Sequence, residues 1–529
     1  MNIEGKEAHE LIPFLLKPSS YPHKPEYVKH IQTHASHVFL VPPYVYKVKK
    51  PVNFGFLDFS TLDKRRFYCE REVELNRRLC DAYLGVEAIS VRNGDLIFGR
   101  DGEIVEYAVK MRELPEEYFL KNLLIRSEVT LADLLRIIDK LVEFYKGQTA
   151  KEEIIQYGSP DRVKANIDDN LSLTERFVGK TISIAAHKTI KLYNSLFFQK
   201  KVNFFRERME KGFVKDCHGD LHLEHINLNP RGICIYDCIE FNDRFRYIDI
   251  ASDIAFLAMD LDFNGFPDLA KFFVSEVSRR MNDRSIYEVL DFYKCYRAYV
   301  RGKVESLRSD EKEMPDGERR ASVTRAKKYF SLALRYALFG SGPALLVIFG
   351  LIGTGKSTVA DLLSKELSCE VVSSDRARKE IMGMAPTERR YDGFDKGIYT
   401  KEVTEKTYRE LLTRGEKIVK SGEIAILDAS FSKRKLRELV LHAAEDLGIQ
   451  FYFIQTKTDD ETIKKRLIER ESREESISDA RREIFENFKE GFEEPDELPR
   501  GEYFVINTDK SVEQTLIQIF TEIIGKRLS

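Results

Sequence analysis

"ALLVIFGLIGTGKSTVADLLSKEL", residues 344–367, decides the C-terminal part of the chain. "ALLVIFG" is a continuous apolar run ending in Gly350, as in a strand buried on both faces. "KSTVADLLSKEL" then changes to helical periodicity. The loop between them carries Gly350, Gly353, Thr354, Gly355, Lys356, Ser357 and Thr358. Four of these, Gly350, Gly355, Lys356 and Ser357, satisfy GxxxxGK[ST] in the required strand–loop–helix context. Glycines allow backbone N–H groups to curl around phosphates at a helix N-terminus, where the dipole favours anions. Lys356 has the reach for β- and γ-phosphates, and the Ser357 hydroxyl can ligate Mg²⁺.

Downstream, apolar runs recur with helices between them: "CEVVSSD" (369–375), "EIAILDAS" (423–430), "IQFYFIQT" (449–456) and "YFVINTD" (503–509). With the first they predict about five buried parallel strands flanked by helices, an α/β domain over 342–529. Asp428 closes one strand where a metal's water shell needs a carboxylate. Asp375 closes another, placed to accept a hydroxyl proton, with Arg378 to clamp phosphate. Arg466, Arg470 and Arg473 recur at helical spacing in a charge-rich stretch suited to a closing lid. The motif order, with "SSDRARKEIM" and "ILDASFSKRKLREL", resembles the zeta-toxin and polynucleotide-kinase-like group of P-loop kinases. The sensor and arginine-finger layout of a ring-forming motor is not seen. The resemblance implies ATP as phosphoryl donor with Mg²⁺.

At 529 residues, 43% hydrophobic and 33% charged, the chain is long enough for two to four soluble domains. A net charge of −2 supplies no global attraction to nucleic acid. No stretch has the length of a membrane span, and the start lacks a signal-peptide pattern. Seven cysteines without CxxC spacing fit a reducing cytoplasm better than a disulfide framework. The charged segment 308–328 and "GSGP" (340–343) place the main boundary near 341. Upstream, short alternating strands to about 110 predict a small lobe, and helical stretches over 111–335 a larger one.

"CHGDLHLEHINL", 217–228, is the second decisive stretch. A zinc reading has His218, His222 and His225 at i, i+4 and i+7, but Gly219 and the apolar pattern argue for strand-to-loop and there is no HExxH. A kinase reading fits better. Asp220 follows His218 by two residues, and "GICIYDCIEF" delivers Asp237 on a strand joined through the turn "NLNPRG". These stretches resemble the HGDxH loop and second metal motif of aminoglycoside-phosphotransferase-like kinases, over roughly 25–335. The resemblance implies a bilobal protein-kinase-like fold in domain 1–335, α+β in class, with Asp220 as base and Asp237 on Mg²⁺.

The small lobe must then supply a phosphate-anchoring lysine and its carboxylate. "HVFLVPPYVYKVKK", 37–50, reads as a hairpin with Lys47 as anchor and Lys49, on the same strand face, as alternate. Glu72 is the ion-pair partner on the following helix, with Glu70 second. "QTHAS" (32–36) is placed to cover phosphates, and "VEYAVKM" (105–111) to meet adenine. At the second metal position the HGDxHxxN form has Asn, whereas this chain has His225, with Asn227 two residues later. Three outcomes stay open: Asn227 reaches the metal, His225 ligates it, or the site is weakened. Imidazole suits Mn²⁺ better than Mg²⁺.

The expectation is a cytoplasmic, bifunctional kinase passing the ATP γ-phosphoryl to hydroxyl acceptors that the sequence does not name. It leaves two alternatives: a nucleotide-sensing N-terminal scaffold, and nucleic-acid 5′ ends as the C-terminal acceptor. The oligomeric state is undetermined.

Overall fold

Alternating apolar residues on both sides of Pro42–Pro43 do form a hairpin. In the computed structural model, which describes residues 4–311, 314–385, 400–471 and 485–529, it sits inside a six-stranded antiparallel sheet. Its strands are β1 (Lys29–Gln32), β2 (Ser36–Val41), β3 (Tyr44–Lys49), β4 (Tyr83–Arg92), β5 (Asp95–Phe98) and β6 (Glu103–Arg112), ordered β1-β2-β3-β6-β4-β5. Val38 pairs with Lys47 across the hairpin, which sets Val45, Lys47 and Lys49 on one face. The helix Leu62–Asn76, capped by Thr61 accepting from the Lys64 N–H, packs on β4 and β6. Its Cys69 and Val73 enter a core with Val45, Tyr83 and Val109, so the same helix face turns Glu72 inward.

The HGD stretch follows β7 (Val214–Asp216) as a loop, not a long helix, and leads into β8 (Ile226–Asn229). β8 pairs antiparallel with β9 (Gly232–Ile235) through the expected turn, and β7 with β10 (Tyr247–Asp249). Behind them the helix Ile250–Phe263 is buried along nearly its whole length.

Five parallel strands make the second sheet: β11 (Ala344–Phe349), β12 (Glu370–Ser373), β13 (Ile424–Asp428), β14 (Gln450–Lys457) and β15 (Tyr503–Asn507). Their order β12-β13-β11-β14-β15 puts the phosphate-loop strand at the centre. Every residue of β11 is buried, the physical reason its sequence shows no alternation.

Two compact units divide the chain: Met1–Val163 with Asn203–Leu290, and Lys164–Val202 with Asp291–Ser529. The partition differs from a cut near 341, because the second unit takes in 291–339. The helix Asp316–Phe339 packs on Lys356–Leu367 and Val512–Arg527; Ser331 donates to the Glu366 carbonyl and Gln450 to that of Phe339. Among the described residues no helix is long and apolar enough to cross a membrane. The cysteine expectation needs correction at one pair: Cys80 and Cys234, both buried, are joined as a disulfide. Their sequence separation of 154 leaves no local spacing signal.

Candidate active sites

In the N-terminal site, β3 and the helix Leu62–Asn76 bring two lysines to one carboxylate. Lys47 Nζ lies 2.9 Å from Glu72 Oε1 and donates to Asp237 Oδ1 at 2.7 Å. Lys49 Nζ donates to Glu72 Oε2 at 2.6 Å and to Glu240. The lysines differ in access: the Lys49 side chain is 1% exposed and Lys47 17%. Lys47 can therefore meet a ligand, whereas Lys49 is enclosed between Glu72 and Glu240. The alternate carboxylate, Glu70, points outward and pairs with Arg66. Burial alone would lower the Lys47 ammonium, but Asp237, Glu72 and Glu240 hold it well above its ordinary pKa. Glu72 is held below the usual range by Lys47 and Lys49 against its own burial.

The HGD loop is tied down from behind. Asp253 accepts the backbone N–H groups of His218 (3.0 Å) and Gly219 (2.9 Å) and the Tyr145 hydroxyl (2.9 Å). Asp260, two turns along the same helix, accepts the Leu223 N–H. His218 Nε2 bonds the Tyr236 carbonyl, fixing the Asp220 loop to the residue before Asp237. Gly219 has φ +87, and a Cβ there would lie 2.7 Å from the Phe245 carbonyl, so glycine is required. Asp237 itself holds a left-handed φ of 59°, its N–H donating to the Tyr83 hydroxyl, the kind of backbone strain found at functional sites.

His225 stands between the two aspartates. Its Nδ1 donates to the Asp220 carbonyl at 2.9 Å, and its Nε2 lies 3.6 Å from Asp237 Oδ2. Asp220, His222 and His225 offer ligand atoms within 4.8 Å of one another. Burial and the neighbouring His222 lower His225 to about 4, so its ring is neutral near pH 7. Asp237 is held well below its ordinary pKa by the Lys47 ammonium, despite burial. A donor set of one imidazole and one carboxylate fits a divalent cation. Asn227 does not join it: this side chain sits in β8 and donates to the Pro115 carbonyl at 3.0 Å, with its Oδ1 buried and without a hydrogen-bond partner. The re-registered loop expected as one alternative is therefore not observed.

In the C-terminal site the phosphate loop runs from Gly350 into the helix Lys356–Leu367. Gly353 (φ +78) and Gly355 (φ +89) are left-handed, and a Cβ on Gly350 (φ +141) would lie 2.6 Å from the Thr456 carbonyl. Lys356 Nζ donates to the Leu351 carbonyl at 2.9 Å, within its own loop. Ser357 and Thr358 open the helix on its exposed side. Asp428, buried at the end of β13, takes a bond from the Ser357 hydroxyl; burial raises its carboxyl to about 6, opposed by Lys356. Thr354 shares a 2.7 Å hydroxyl contact with Thr456, and Thr508 donates to the Thr354 carbonyl at 2.8 Å.

Arg466, in the helix Asp460–Glu471, donates to Thr508 Oγ1 at 3.0 Å and to its carbonyl at 2.9 Å. Its guanidinium lies 3.6 Å from where a Gly355 Cβ would be, hence beside the phosphate loop. Arg470 belongs to the same helix, but its side chain, like all of Arg473 and 472–484, lies outside the described residues. Asp375 is half-buried at the first turn of the helix Ser374–Ile381; Arg378, buried one turn on, donates to Thr404. Glu240, Asp253, Thr456 and Thr508 were not singled out from sequence. Glu240 had the best signal, a carboxylate three residues after Asp237 in an apolar run.

Residues 345–495 match the family model described as AAA domain. An uncharacterized protein of Mycobacterium tuberculosis (strain H37Rv) is 29% identical over 418 residues, 78% of this chain and 80% of that protein. Among solved structures, a choline kinase from Cryptosporidium parvum covers 62% of this chain and 95% of its own, at 10% identity and TM-score 0.38. Kti12 of Chaetomium thermophilum, in complex with ADP-AlF3, covers 34% of this chain and 98% of its own, at 20% identity and TM-score 0.27.

Proposed function

We propose that the chain is an ATP-dependent phosphotransferase with two sites, one in residues 1–335 and one in 342–529. Each moves the γ-phosphoryl of ATP to an acceptor hydroxyl. The observation that carries the reading is Lys47 held between Glu72 and Asp237 while His225 touches both Asp237 and Asp220. Lysine, paired acid and two convergent aspartates are what positioning and charge stabilisation of a phosphoryl group require.

In the first site Lys47 binds phosphate oxygens and Glu72 keeps it aimed. Asp220 orients the acceptor and takes its proton as the acceptor oxygen bonds to phosphorus and the bond to the departing ADP oxygen breaks. Asp237 and His225 would hold a divalent cation, which supplies neutralisation of phosphate charge. In the second site Lys356 and the loop N–H groups bind the triphosphate, and Ser357 and Asp428 would hold Mg²⁺. Asp375 is the candidate base, Arg378 the clamp on the acceptor side, and Arg466, with Arg470, supplies charge from the lid.

A small hydroxyl metabolite is favoured over a nucleic-acid end as the second acceptor, because the basic run "SKRKLR" (432–437) is already engaged. Lys433 pairs with Glu493, Arg434 with Glu438, and Arg437 is fully buried against Glu497. His225 at an asparagine position favours one other reading, a nucleotide-sensing N-terminal scaffold.

The test is transfer of labelled γ-phosphate from ATP to a desalted metabolite extract and to a 5′-hydroxyl oligonucleotide. Asp220→Ala and Lys356→Ala should each remove its own product by roughly 10²-fold or more. Loss with Lys356→Ala alone selects the scaffold reading. Inorganic phosphate as the sole product in all three proteins would rule out both transfer activities.

A further inference from the structure

We infer that the N-terminal cation site is a nitrogen–oxygen site that selects a first-row transition cation of the Mn²⁺ class over Mg²⁺, with His225 as the selecting ligand. The inference rests on reading this site as one for phosphoryl transfer.

The hydrogen bonds assign the tautomers of the histidines around Asp220. His222 Nδ1 accepts the Glu224 N–H, so its proton is on Nε2, which faces Asp220 Oδ2 at 3.6 Å. His222 therefore turns an N–H, not a lone pair, toward the aspartate. His225 is the opposite case. Its Nδ1–H is given to the Asp220 carbonyl at 2.9 Å, leaving the Nε2 lone pair 3.6 Å from Asp237 Oδ2. A ligating imidazole whose other nitrogen donates to a carbonyl is oriented and made more basic by that bond. Two cis donors about 2.1 Å from one ion lie roughly 3.0–3.4 Å apart, so this pair needs only a few tenths of an ångström to chelate.

Imidazole stands where the HGDxHxxN form has an amide. The amide N–H of Asn227, two residues on, is given to the Pro115 carbonyl at 3.0 Å. Mg²⁺ dehydrates reluctantly and prefers all-oxygen shells, while affinity for imidazole rises from Mn²⁺ along the first row. Replacing an amide oxygen by imidazole nitrogen therefore shifts the ratio of affinities even if the total changes little.

The test uses the full chain carrying Asp428→Asn, which removes the carboxylate proposed to hold the second site's cation, without nucleotide. Free Mn²⁺ is followed by its electron paramagnetic resonance signal, and Mg²⁺ is added as competitor. With His225 present, Mn²⁺ should bind one site that resists Mg²⁺; His225→Asn should lower the Mn²⁺/Mg²⁺ selectivity by about tenfold or more. Asp237→Asn should abolish the site. Circular dichroism and thermal melts verify that both variants fold. Equal selectivity in His225→Asn and its parent, or Mn²⁺ binding that survives Asp237→Asn, would overturn the inference. The two readings fail separately. Asp220-dependent transfer with unchanged selectivity keeps the kinase and loses the metal preference. Selectivity without Asp220-dependent transfer keeps the metal preference and loses the kinase.

Discussion

Lys47 and Asp237 form one short ion pair, 2.7 Å from Nζ to Oδ1, between a residue of β3 and the carboxylate that follows β9. Both are groups a nucleotide site would use, and in the ion pair their charges offset each other. Glu72 keeps the lysine in place from the other side.

The two lysines on Glu72 should separate by phenotype. Lys49→Met leaves Glu72 and Glu240 buried with one partner fewer, and should cost about 3–5 kcal/mol in urea unfolding. Lys47→Met, at the more open position, should cost less in stability yet lower Asp220-dependent transfer by roughly 10²-fold. Equal stability losses would count against the assignment of Lys47 as the phosphate ligand.

Gly350→Ala should damage the second site through geometry alone. Its Cβ would meet the Thr456 carbonyl at 2.6 Å at a φ of +141°. The expected result is a destabilisation of about 1–3 kcal/mol and a weakened affinity for ATP, read by calorimetry in a Lys47→Met background.

Thr508→Ala tests how Arg466 is held. It removes the Oγ1 contacts to Arg466 and to the Thr354 carbonyl, leaving the main-chain contact to the arginine. Phosphoryl transfer at the second site should fall about tenfold, with nucleotide affinity changed less, if Arg466 stabilises the reacting phosphate. A larger loss in affinity than in turnover would assign the threonine to loop structure instead.

Asp428 gives the second site a pH dependence. Burial raises the folded carboxyl to about 6. A carboxyl raised on folding contributes stability that is complete below its unfolded pKa, near 4, and is lost as pH rises through about 6. Asp428→Asn should therefore stabilise the nucleotide-free protein by about 2–3 kcal/mol at pH 7.5 and by nothing at pH 4. Affinity for Mg·ADP in a Lys47→Met background should fall about tenfold per pH unit below 6, because the cation displaces that proton. The slope should vanish in Asp428→Asn.

The parts of the fold that sequence made legible are those whose signal is local. A seven-residue apolar run ending in glycine placed β11, and alternation around two prolines placed the β2–β3 hairpin. Lys47 ranks ahead of Lys49 on the same strand face, but nothing local shows how differently the two are buried. What distinguishes them is Glu240, which enters from far along the chain and encloses only Lys49. The charged stretch 308–328 reads as a boundary segment, yet from Asp316 it belongs to one helix running to Phe339, whose buried face is set by neighbours the local pattern does not name. Arg437 sits in a basic run, and nothing local signals that it is buried; its partner, Glu497, lies 60 residues further along the chain. The 154-residue span between Cys80 and Cys234 is invisible to spacing for the same reason.

The Glu72 network also sets a charge balance. Lys47 and Lys49 bring two positive charges to four acidic groups, Glu72, Glu240, Asp237 and Asp220, of which Glu240 is pushed up by its burial. Neutral His225 adds none. Acidic groups outnumber the lysines, a balance that suits a cation. On the proposed phosphotransferase reading, bare triphosphate would meet a net acidic site, and the expected order of loading is metal first or metal together with nucleotide.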